Sequence, residues 1–360
     1  LRASCAADPA NPVAANNLAV MLADAGRKSE ALEQFTHALG LQPGNIHIEH
    51  QIRRLSGELV PFWHIPMLND TRRNDAFEAA IIAAVAAAGP DARVLDIGTG
   101  SGLLSMMAAR AGSQCVTACE TVPIIAQMAR RIIADNGYGD RITVHTAASS
   151  ELQVGEHLDA QADILVSEIL SSDLLTERVI DTFEDAHARL LRPGATVIPR
   201  AAAAFGCLVE SQVLADYVFV ETVSGFDVSR FGALAAQKLP IHGTMTDWKR
   251  LSGDVELLRI DLTRTRHPSD LQLLSIDVMD NGIAAGIVQW MHVDLADGIA
   301  FDNHPDGYTD GGWLQVLHTF PHPIAVEAGD VLNIAVGHDR VTLILRPLGV
   351  IAASAQAKVA

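Results

Sequence analysis

Residues 94–102 read VLDIGTGSG, a strand-like run that leads into a glycine-rich turn. The glycines of the turn are Gly98, Gly100 and Gly102. Glycine is needed where a ligand must approach the backbone closely, because any side chain would obstruct it. The spacing is GxGxG, so the third glycine of the dinucleotide fingerprint GxGxxG is absent at Leu103, which weakens a nicotinamide interpretation. With Asp96 at the end of the strand, the stretch predicts a nucleotide-like cofactor at a strand–turn–helix junction.

Strand-like and helix-like segments alternate around this turn, between about residues 60 and 200. The segments are RVLDIG, GLLSMMAARAG, CVTACE, PIIAQMARRIIADNG, RITVHT and ADILVSE. Such alternation predicts a parallel, doubly wound, Rossmann-like α/β sheet whose ligand lies at the carboxyl ends of the strands. Glu120 ends the second strand, where a carboxylate can accept both hydroxyl groups of a ribose, as in nucleotide and S-adenosylmethionine sites.

Helices become scarce after Pro199. The remaining strand-like segments are YVFVETV, VELLRIDLT, LQLLSIDVM, GIVQWMHVDL, WLQVLHTF, VLNIAVG and RVTLILRPL. Turn residues separate them, and this pattern predicts an antiparallel β-barrel or sandwich.

The first part of the chain carries the pattern of a tetratricopeptide repeat over residues 12–45. The matching positions are Leu18, Ala19, Leu22, Ala31, Phe35, Ala38 and Pro43. Pro9 lies one 34-residue period before Pro43 and indicates the end of an earlier repeat that this chain lacks. One repeat cannot bury its own face, so we expect it to pack on the next domain or on other repeats. A generic helical hairpin is the alternative.

We therefore expect three parts: a tetratricopeptide-repeat-like helical segment over 1–57, a cofactor-binding domain with an N-terminal lid helix over 58–200, and a β-barrel substrate domain over 201–360. With 360 residues and 49% hydrophobic content, the chain can form more than one core. A formal charge of −17 disfavours nucleic-acid binding.

Composition also predicts a soluble, cytoplasmic protein without a membrane partner. No apolar run approaches the roughly 20 residues that span a bilayer. The four cysteines are scattered, at Cys5, Cys115, Cys119 and Cys207, and form no zinc motif. The stretch DNHPDGYTDGG (302–312) lacks the closing glutamate of a calcium loop, so we predict no metal site.

A second stretch, SEILSSDLLTE at 167–177, brings two glutamates, Glu168 and Glu177, after an apolar strand. Together with DIGTGSG, the CE at 119–120 and PMLNDTRRNDAFEAAI at 66–81, it resembles the protein arginine N-methyltransferase family. LVES at 208–211 and GDVL at 329–332 are similar to the barrel of that family. The resemblance covers roughly residues 60–350. It is strongest to the branch with N-terminal tetratricopeptide repeats and two tandem modules, although this chain has length for one module.

The resemblance implies methyl transfer from S-adenosylmethionine to an arginine guanidinium by in-line displacement, with S-adenosylhomocysteine as product. Two carboxylates can bind the edges of a guanidinium through bidentate bonds and draw positive charge away from the attacking nitrogen. On one helix, residues nine apart project about 180° from each other, so Glu168 and Glu177 need a loop that doubles back. Ser171 and Ser172 favour a turn there.

Further roles follow from the resemblance. Arg73 is expected to pair with the methionyl carboxylate of the cofactor, and it shares a helical face with Asp70 and Phe77. A surface arginine is the alternative. Ser150 and Glu151 match positions that contact adenine. We predict cofactor contacts from these three residues together with Asp96, the three glycines and Glu120.

Three residues are assigned to the substrate. Met67 matches a methionine near the target nitrogen, with plain packing as the alternative. Trp313 matches the tryptophan of the family's Thr-His-Trp loop, whose threonine and histidine are replaced by Gly311 and Gly312. Because that histidine often pairs with the helix aspartate, proton handling is expected to differ here. Asp173 is a third acid, which would favour arginines flanked by basic residues.

Three functions remain open at this stage: an arginine methyltransferase, a methyltransferase of another substrate class, and an idle cofactor-binding scaffold. The expected partners are an arginine-containing protein or peptide substrate, a protein recruited by the helical repeats, and a second copy of the chain in a homodimer. The methylation product stays open, because it depends on the space around the second nitrogen.

Overall fold

A computed structural model describes residues 7–241, 245, 247–307 and 311–356, so Cys5 and both ends of the predicted domain ranges lie outside the described residues. Three helices open the described chain: α1 Pro12–Asp24, α2 Lys28–Leu41 and α3 Ile46–Leu59. The side chains of Asn11 and Asn45 cap α1 and α3 by accepting hydrogen bonds from first-turn backbone N–H groups.

The three helices share a small apolar core of their own. Its fully buried members include Ala19, Ala31 and Phe35. Ile124, from the helix that follows the second strand of the sheet, packs against this cluster. The helical hairpin thus rests on the next part of the chain, while its assignment as a tetratricopeptide repeat stays a prediction.

Two further helices, α4 His64–Asn69 and α5 Thr71–Ala88, lead into a five-stranded parallel sheet. Its strands are β1 Arg93–Ile97, β2 Cys115–Glu120, β3 Ile142–Thr146, β4 Ala162–Ser167 and β5 Leu191–Ile198. Its helices are α6 Leu103–Arg110, α7 Pro123–Asp135 and α8 Val179–Asp185. The spatial order is β3-β2-β1-β4-β5, and all neighbours are parallel. The doubly wound sheet predicted from the sequence is confirmed.

The strand order reverses between β1 and β4. In open sheets of this kind, ligands bind outside the carboxyl ends of the strands at such a reversal. The glycine turn follows β1, Glu120 ends β2 and Glu168 follows β4, so the topology brings all three to one edge.

The rest of the described chain is mostly antiparallel β-structure. Its elements are β6 Ala201–Glu210, α9 Gln212–Val218, β7 Thr222–Val223, β8 Phe226–Asp227, β9 Lys238–Ile241, β10 Lys249–Arg250, β11 Val255–Asp261, β12 Asp270–Asp277, β13 Gly282–Ala296, β14 Ile299–Asp302, β15 Gln315–Val326, β16 Val331–His338, β17 Leu343–Ile351 and α10 Ala353–Gln356. A seven-stranded sheet runs β10-β6-β13-β15-β9, with β11 on β6 and β14 on β13, and a second sheet runs β12-β16-β17. Antiparallel strands after Pro199 are thus confirmed, and closure into a barrel stays a prediction.

We call residues 201–351 the β region. One hydrophobic core joins it to the parallel sheet, because Phe77 of α5 and Leu165 of β4 belong to the same buried cluster as Ile287 of β13 and Trp313. No helix of the described chain is both long enough and apolar enough to cross a bilayer.

The core of the helical segment provides a test of its independence. Phe35 is 1% exposed, and its truncation should cost about 3–5 kcal/mol. We expect Phe35→Ala to expose α1–α3 to limited proteolysis at a lower temperature than in the wild type. Val13→Ala is the control, because Val13 is 64% exposed on the same helices. Equal protease sensitivity of the two variants would contradict this account of the core.

Candidate active site

The turn after β1 is organised from below by Asp96. Its side chain is buried, and its Oδ2 accepts hydrogen bonds from Thr99 Oγ1 at 2.6 Å and Ser105 Oγ at 2.6 Å. Burial raises the pKa of Asp96 to about 6, although these hydrogen bonds oppose the shift. Asp96 does not line the cavity described below; its carboxylate holds the turn, and its predicted contact with the cofactor stays a prediction.

The three glycines of the turn have different surroundings. All have positive φ, at 76°, 56° and 83° for Gly98, Gly100 and Gly102. Gly98 and Gly100 line the cavity, whereas Gly102 does not. A Cβ on Gly102 would lie 2.8 Å from Cδ1 of Ile133 in α7, so this glycine permits helix packing, and its predicted contact with the cofactor stays a prediction.

A cavity of about 1020 Å³ opens above the turn. The residues predicted from the sequence that line it are Met67, Arg73, Gly98, Gly100, Glu120, Ser150, Glu168, Glu177 and Trp313. This volume is at the upper end of the range of ligand sites, roughly 300–1,000 Å³. It has room for a nucleoside-sized cofactor together with part of a second ligand.

Glu120 lies at the cavity wall at the end of β2. Its Oε1 accepts a hydrogen bond from Val122 N at 2.9 Å, and its Oε2 accepts one from Gly100 N at 3.2 Å. The carboxylate is thereby fixed beside the turn. Oε1 also accepts a hydrogen bond from Thr121 Oγ1 at 3.4 Å, so Oε2 keeps a lone pair for a ligand hydroxyl.

The segment after β3 places only one of the two predicted adenine-contacting residues. Ser150 lines the cavity, in the short 3₁₀ turn Ser149–Glu151. Glu151 does not line it, because its Oε2 accepts a hydrogen bond from Ala148 N at 2.8 Å. Glu151 thus caps the short turn, and its predicted contact with the cofactor stays a prediction.

Arg73 and Glu168 form a buried ion pair across the cavity floor. Nη2 of Arg73 lies 2.6 Å from Oε2 of Glu168, and the two side chains are only 7% and 5% exposed. Nη1 of Arg73 donates to Met67 O and to Asn74 Oδ1. The guanidinium also lies against Trp313, 5.7 Å from the ring centroid. Its Nε is buried and has no hydrogen-bond partner among the described residues.

Residues 168–178, which we call the acceptor loop, double back outside any regular helix, as the sequence required. Leu174 N donates to Ser171 O at 2.8 Å, which closes a turn. Leu174 has a φ of 80°, an unusual value for a residue with a side chain. As a result, Glu168 and Glu177 line the same cavity.

The β region holds the acceptor loop through polar contacts with three backbone or hydroxyl groups. Trp313 Nε1 donates to Leu170 O at 2.9 Å, and Leu314 N donates to Ser172 Oγ at 3.1 Å. Gln289, fully buried in β13, donates through Nε2 to Ser172 O at 3.2 Å. Sequence reasoning missed Gln289, because a single glutamine inside an apolar strand carries no motif.

Asp173, which the sequence assigned to the substrate, is engaged by neighbours within the protein. Its carboxylate accepts hydrogen bonds from Ser171, Thr176 and Lys238, the last at 2.7 Å, and it does not line the cavity. Burial alone would raise the pKa of Asp173, but the bonds from Lys238, Thr176 and Ser171 lower it to about 2. Asp173 therefore anchors the acceptor loop, and its predicted preference for basic flanking residues stays a prediction.

Glu177 differs from the other acids of the site. It has no hydrogen-bond or ion-pair partner among the residues that the structure describes. Desolvation of its carboxyl group by the cavity wall, followed by the charges of Glu168, Glu120 and Asp173, raises the pKa of Glu177 to about 7. One glutamate of the pair is therefore fixed and the other is available.

Gly312 brings the β region against α4. A Cβ at this position would lie 2.4 Å from Cγ and 2.7 Å from Cα of Met67. The N–H of Gly312 donates weakly to Oδ2 of Asp70 at 3.4 Å, while Oδ1 of Asp70 accepts from Arg73 N at 3.1 Å. A backbone amide thus contacts the helix aspartate that was expected to lose its histidine partner.

S-adenosylmethionine, the cofactor expected from the sequence, fits the residues present. Gly98 and Gly100 leave the backbone open, and Glu120 retains acceptor capacity for ribose hydroxyls. The orphaned Nε of Arg73 suits a carboxylate in the cavity. No cluster of three or more His, Cys, Asp or Glu side chains suited to a metal ion occurs within 7–241, 245, 247–307 and 311–356.

Known proteins share this fold. Residues 80–199 match the family described as ribosomal protein L11 methyltransferase (PrmA). The Trypanosoma brucei PRMT1 enzyme–prozyme heterotetrameric complex with AdoHcy superposes with a TM-score of 0.66 at 24% identity, over 76% of this chain and 86% of that chain. Arabidopsis thaliana protein arginine methyltransferase 10 gives a TM-score of 0.62 at 20% identity, over 78% of this chain and 88% of that chain. At these identities the structures establish the fold alone.

Sequence relatives define the family. An arginine N(omega)-methyltransferase from Streptomyces achromogenes subsp. streptozoticus is 33% identical over 328 residues, 90% of this chain and 90% of that protein. Protein arginine N-methyltransferase 7 from Drosophila yakuba is 31% identical over 319 residues, 77% of this chain and 46% of that protein, so the chain spans about half of that relative. The chain belongs to the arginine N-methyltransferase family, as its sequence motifs predicted.

The close approach of Gly312 to Met67 predicts a specific sensitivity. Gly312→Ala should push α4 away from the β region, because the new Cβ would overlap Met67. We expect at least about a tenfold loss of affinity for S-adenosylhomocysteine in calorimetry. Gly253→Ala is the control, since its Cβ would meet only Met279 Sδ at 3.6 Å, an ordinary contact. Equal affinities in the two variants would contradict the assigned role of Gly312.

The pKa of Glu177 predicts a pH dependence. Below pH 7 this carboxylate is increasingly protonated and loses its attraction for a guanidinium, which stays charged at all relevant pH values. We expect kcat/KM for the arginine acceptor to fall by up to about tenfold per pH unit below about pH 7. Glu177→Gln should remove this limb of the profile. An inflection near the ordinary pKa of glutamate, about 4.3, would contradict the raised value.

Proposed function

We propose that this protein transfers a methyl group from S-adenosylmethionine to a guanidinium nitrogen of arginine and releases S-adenosylhomocysteine. One observation carries the proposal: two carboxylates, Glu168 and Glu177, line one cavity beside the glycine turn, the first ion-paired and the second without a described partner. The names of the relatives support arginine as the acceptor, and the AdoHcy bound in the Trypanosoma brucei neighbour supports the cofactor.

In this proposal the cofactor is held by residues on three sides. Glu120 accepts hydrogen bonds from the ribose hydroxyls, Gly98 and Gly100 give access to the backbone, and Ser150 lies towards the adenine. Nε of Arg73 donates to the methionyl carboxylate. When bound, the cofactor supplies an electrophilic methyl group on a sulfonium.

The acceptor guanidinium is held by the two glutamates. Glu168 is oriented by Arg73, so its remaining lone pairs have a fixed direction. Glu177 completes a second charge-assisted edge, and together they align one nitrogen for in-line displacement. Positioning of this kind can supply about 7–11 kcal/mol when the geometry is ideal.

Glu177 also receives the proton that the reaction releases. A guanidinium nitrogen becomes more acidic as it gains a bond to carbon, so a carboxylate with a pKa of about 7 is a suitable acceptor near neutral pH. Glu168 is less suited to this step, because its charge is already engaged by Arg73.

The acceptor arginine has two candidate forms. The Drosophila relative is named for protein arginine, which favours a residue within a polypeptide. The Streptomyces relative is named for arginine itself and matches 90% of both chains, which favours the free amino acid. Another substrate class is less well supported, because the carboxylate of Glu177 has no described partner and a cationic acceptor such as a guanidinium would neutralise it. An idle scaffold is less well supported because the contacts of the acceptor loop are intact.

The remaining expectations become proposals about the whole molecule. We propose that the helical segment recruits a protein partner as a tetratricopeptide repeat and that the protein is a cytoplasmic homodimer. Exposed aromatic side chains between β6 and β9 support pairing: Tyr217, Phe226 and Phe231. Light scattering that shows only monomer at working concentration would refute the dimer.

Glu177→Gln provides the direct test of the proposed function. The variant keeps the shape of the side chain but loses its charge, so transfer of labelled methyl to an arginine acceptor should fall at least about 100-fold. Binding of S-adenosylhomocysteine should be largely retained. Glu221→Gln, at an exposed position outside the cavity, serves as the control. Activity of Glu177→Gln equal to that of the control would exclude the proposed role.

A further inference from the structure

Arg178 directly follows Glu177 and is an unusual residue for its backbone conformation. It stands before α8 with a φ of 60°, in the left-handed region that glycine and asparagine favour. A residue kept in this conformation with a long side chain suggests that the side chain is used. Arg178 lines the same cavity as Glu177.

The guanidinium of Arg178 is only partly engaged. Its Nη2 lies 2.6 Å from Oδ2 of Asp181, while Nε and Nη1 have no partner among the described residues. Asp181 is shared, because Arg340 also binds it at 2.7 Å. Its single charge therefore does not fully neutralise Arg178, whose side chain is 70% exposed at the cavity.

The other charges of the cavity make this cation distinctive. Arg73 is committed to Glu168, and the lining acids Asp181 and Asp185 are paired with arginines. Among the described lining residues, Glu177 therefore offers a carboxylate without a partner, and its neighbour in the sequence, Arg178, offers a guanidinium with free donors. Such an order suits an acceptor that carries a guanidinium at one end and a carboxylate at the other. It opposes an internal arginine flanked by basic residues.

We propose that Arg178 binds the α-carboxylate of the acceptor arginine and thereby selects arginines with a free carboxyl group. The inference rests on the proposed function and deepens it. In arginine, six bonds of roughly 1.5 Å separate the guanidinium carbon from the carboxyl carbon. The Cα atoms of neighbouring residues lie about 3.8 Å apart, so the long side chains of Glu177 and Arg178 can bind the two ends of one arginine. The carboxylate has two sources, free arginine or the C-terminal arginine of a polypeptide.

The test compares arginine with agmatine, which keeps the guanidinium and the amine but lacks the carboxylate. We expect kcat/KM to be at least about tenfold higher for arginine in the wild type, and Arg178→Gln to reduce this ratio by about tenfold. Arg178→Lys should retain part of it, because lysine keeps the charge without the fork. Arg27→Gln is the matched control: Arg27 also precedes a helix and pairs with an acid three residues on, Glu30.

A second arm separates the two sources. A peptide with a C-terminal arginine is compared with the same peptide amidated at its end. Faster transfer to the peptide with the free carboxylate supports a C-terminal arginine as the acceptor. Transfer to free arginine and to neither peptide supports the free amino acid. Equal kcat/KM for arginine and agmatine, an unchanged ratio in Arg178→Gln, or preference for an internal arginine would overturn this inference alone. Transfer to none of these guanidines, with S-adenosylhomocysteine still bound, would overturn the proposed function and this inference with it.

Discussion

The buried ion pair between Arg73 and Glu168 is the interaction on which the site depends. It links α5, which precedes the sheet, to the residue that follows β4. Breaking a buried pair by removing one partner typically costs about 3–5 kcal/mol, because the other charge is left uncompensated. Both residues line the cavity, and Nε of Arg73 has no described partner.

The β region stabilises this arrangement from the other face. Trp313 lies against the Arg73 guanidinium and also donates to Leu170 O, so one side chain contacts both Arg73 and the acceptor loop. Gly312 permits the approach because it has no side chain to overlap Met67. The backbone N–H of Gly312 also makes a weak contact with Asp70. Lys238 and Gln289 fix the acceptor loop through Asp173 and Ser172. Among the charged side chains of this loop, Glu177 is the one without a partner in the described chain.

The sequence predicted the parallel sheet and the acceptor loop from local patterns, but not the contacts between residues distant in sequence. Alternating segments predicted the parallel sheet, because its central strands β1, β2 and β4 are buried along almost their whole length. The spacing of Glu168 and Glu177 required a loop, since a helix would have separated them. Asp96, Gly102, Glu151 and Asp173 lie at the expected strand ends or in the expected loops but do not line the cavity. Asp96 and Glu151 are bound by neighbours close in sequence, whereas Asp173 is also bound by Lys238, 65 positions away, a contact that no local motif predicts.

The central claim is that Arg73 and Glu168 act as one unit that joins the two halves of the cavity. A double-mutant cycle tests it most directly, with kcat/KM for methyl transfer to an arginine acceptor measured in Arg73→Gln, Glu168→Gln and the double variant. The account predicts strong non-additivity, with the double variant little worse than either single variant and a coupling energy of about 2 kcal/mol or more. Additive losses would contradict it, because they would mean that each residue acts without the other.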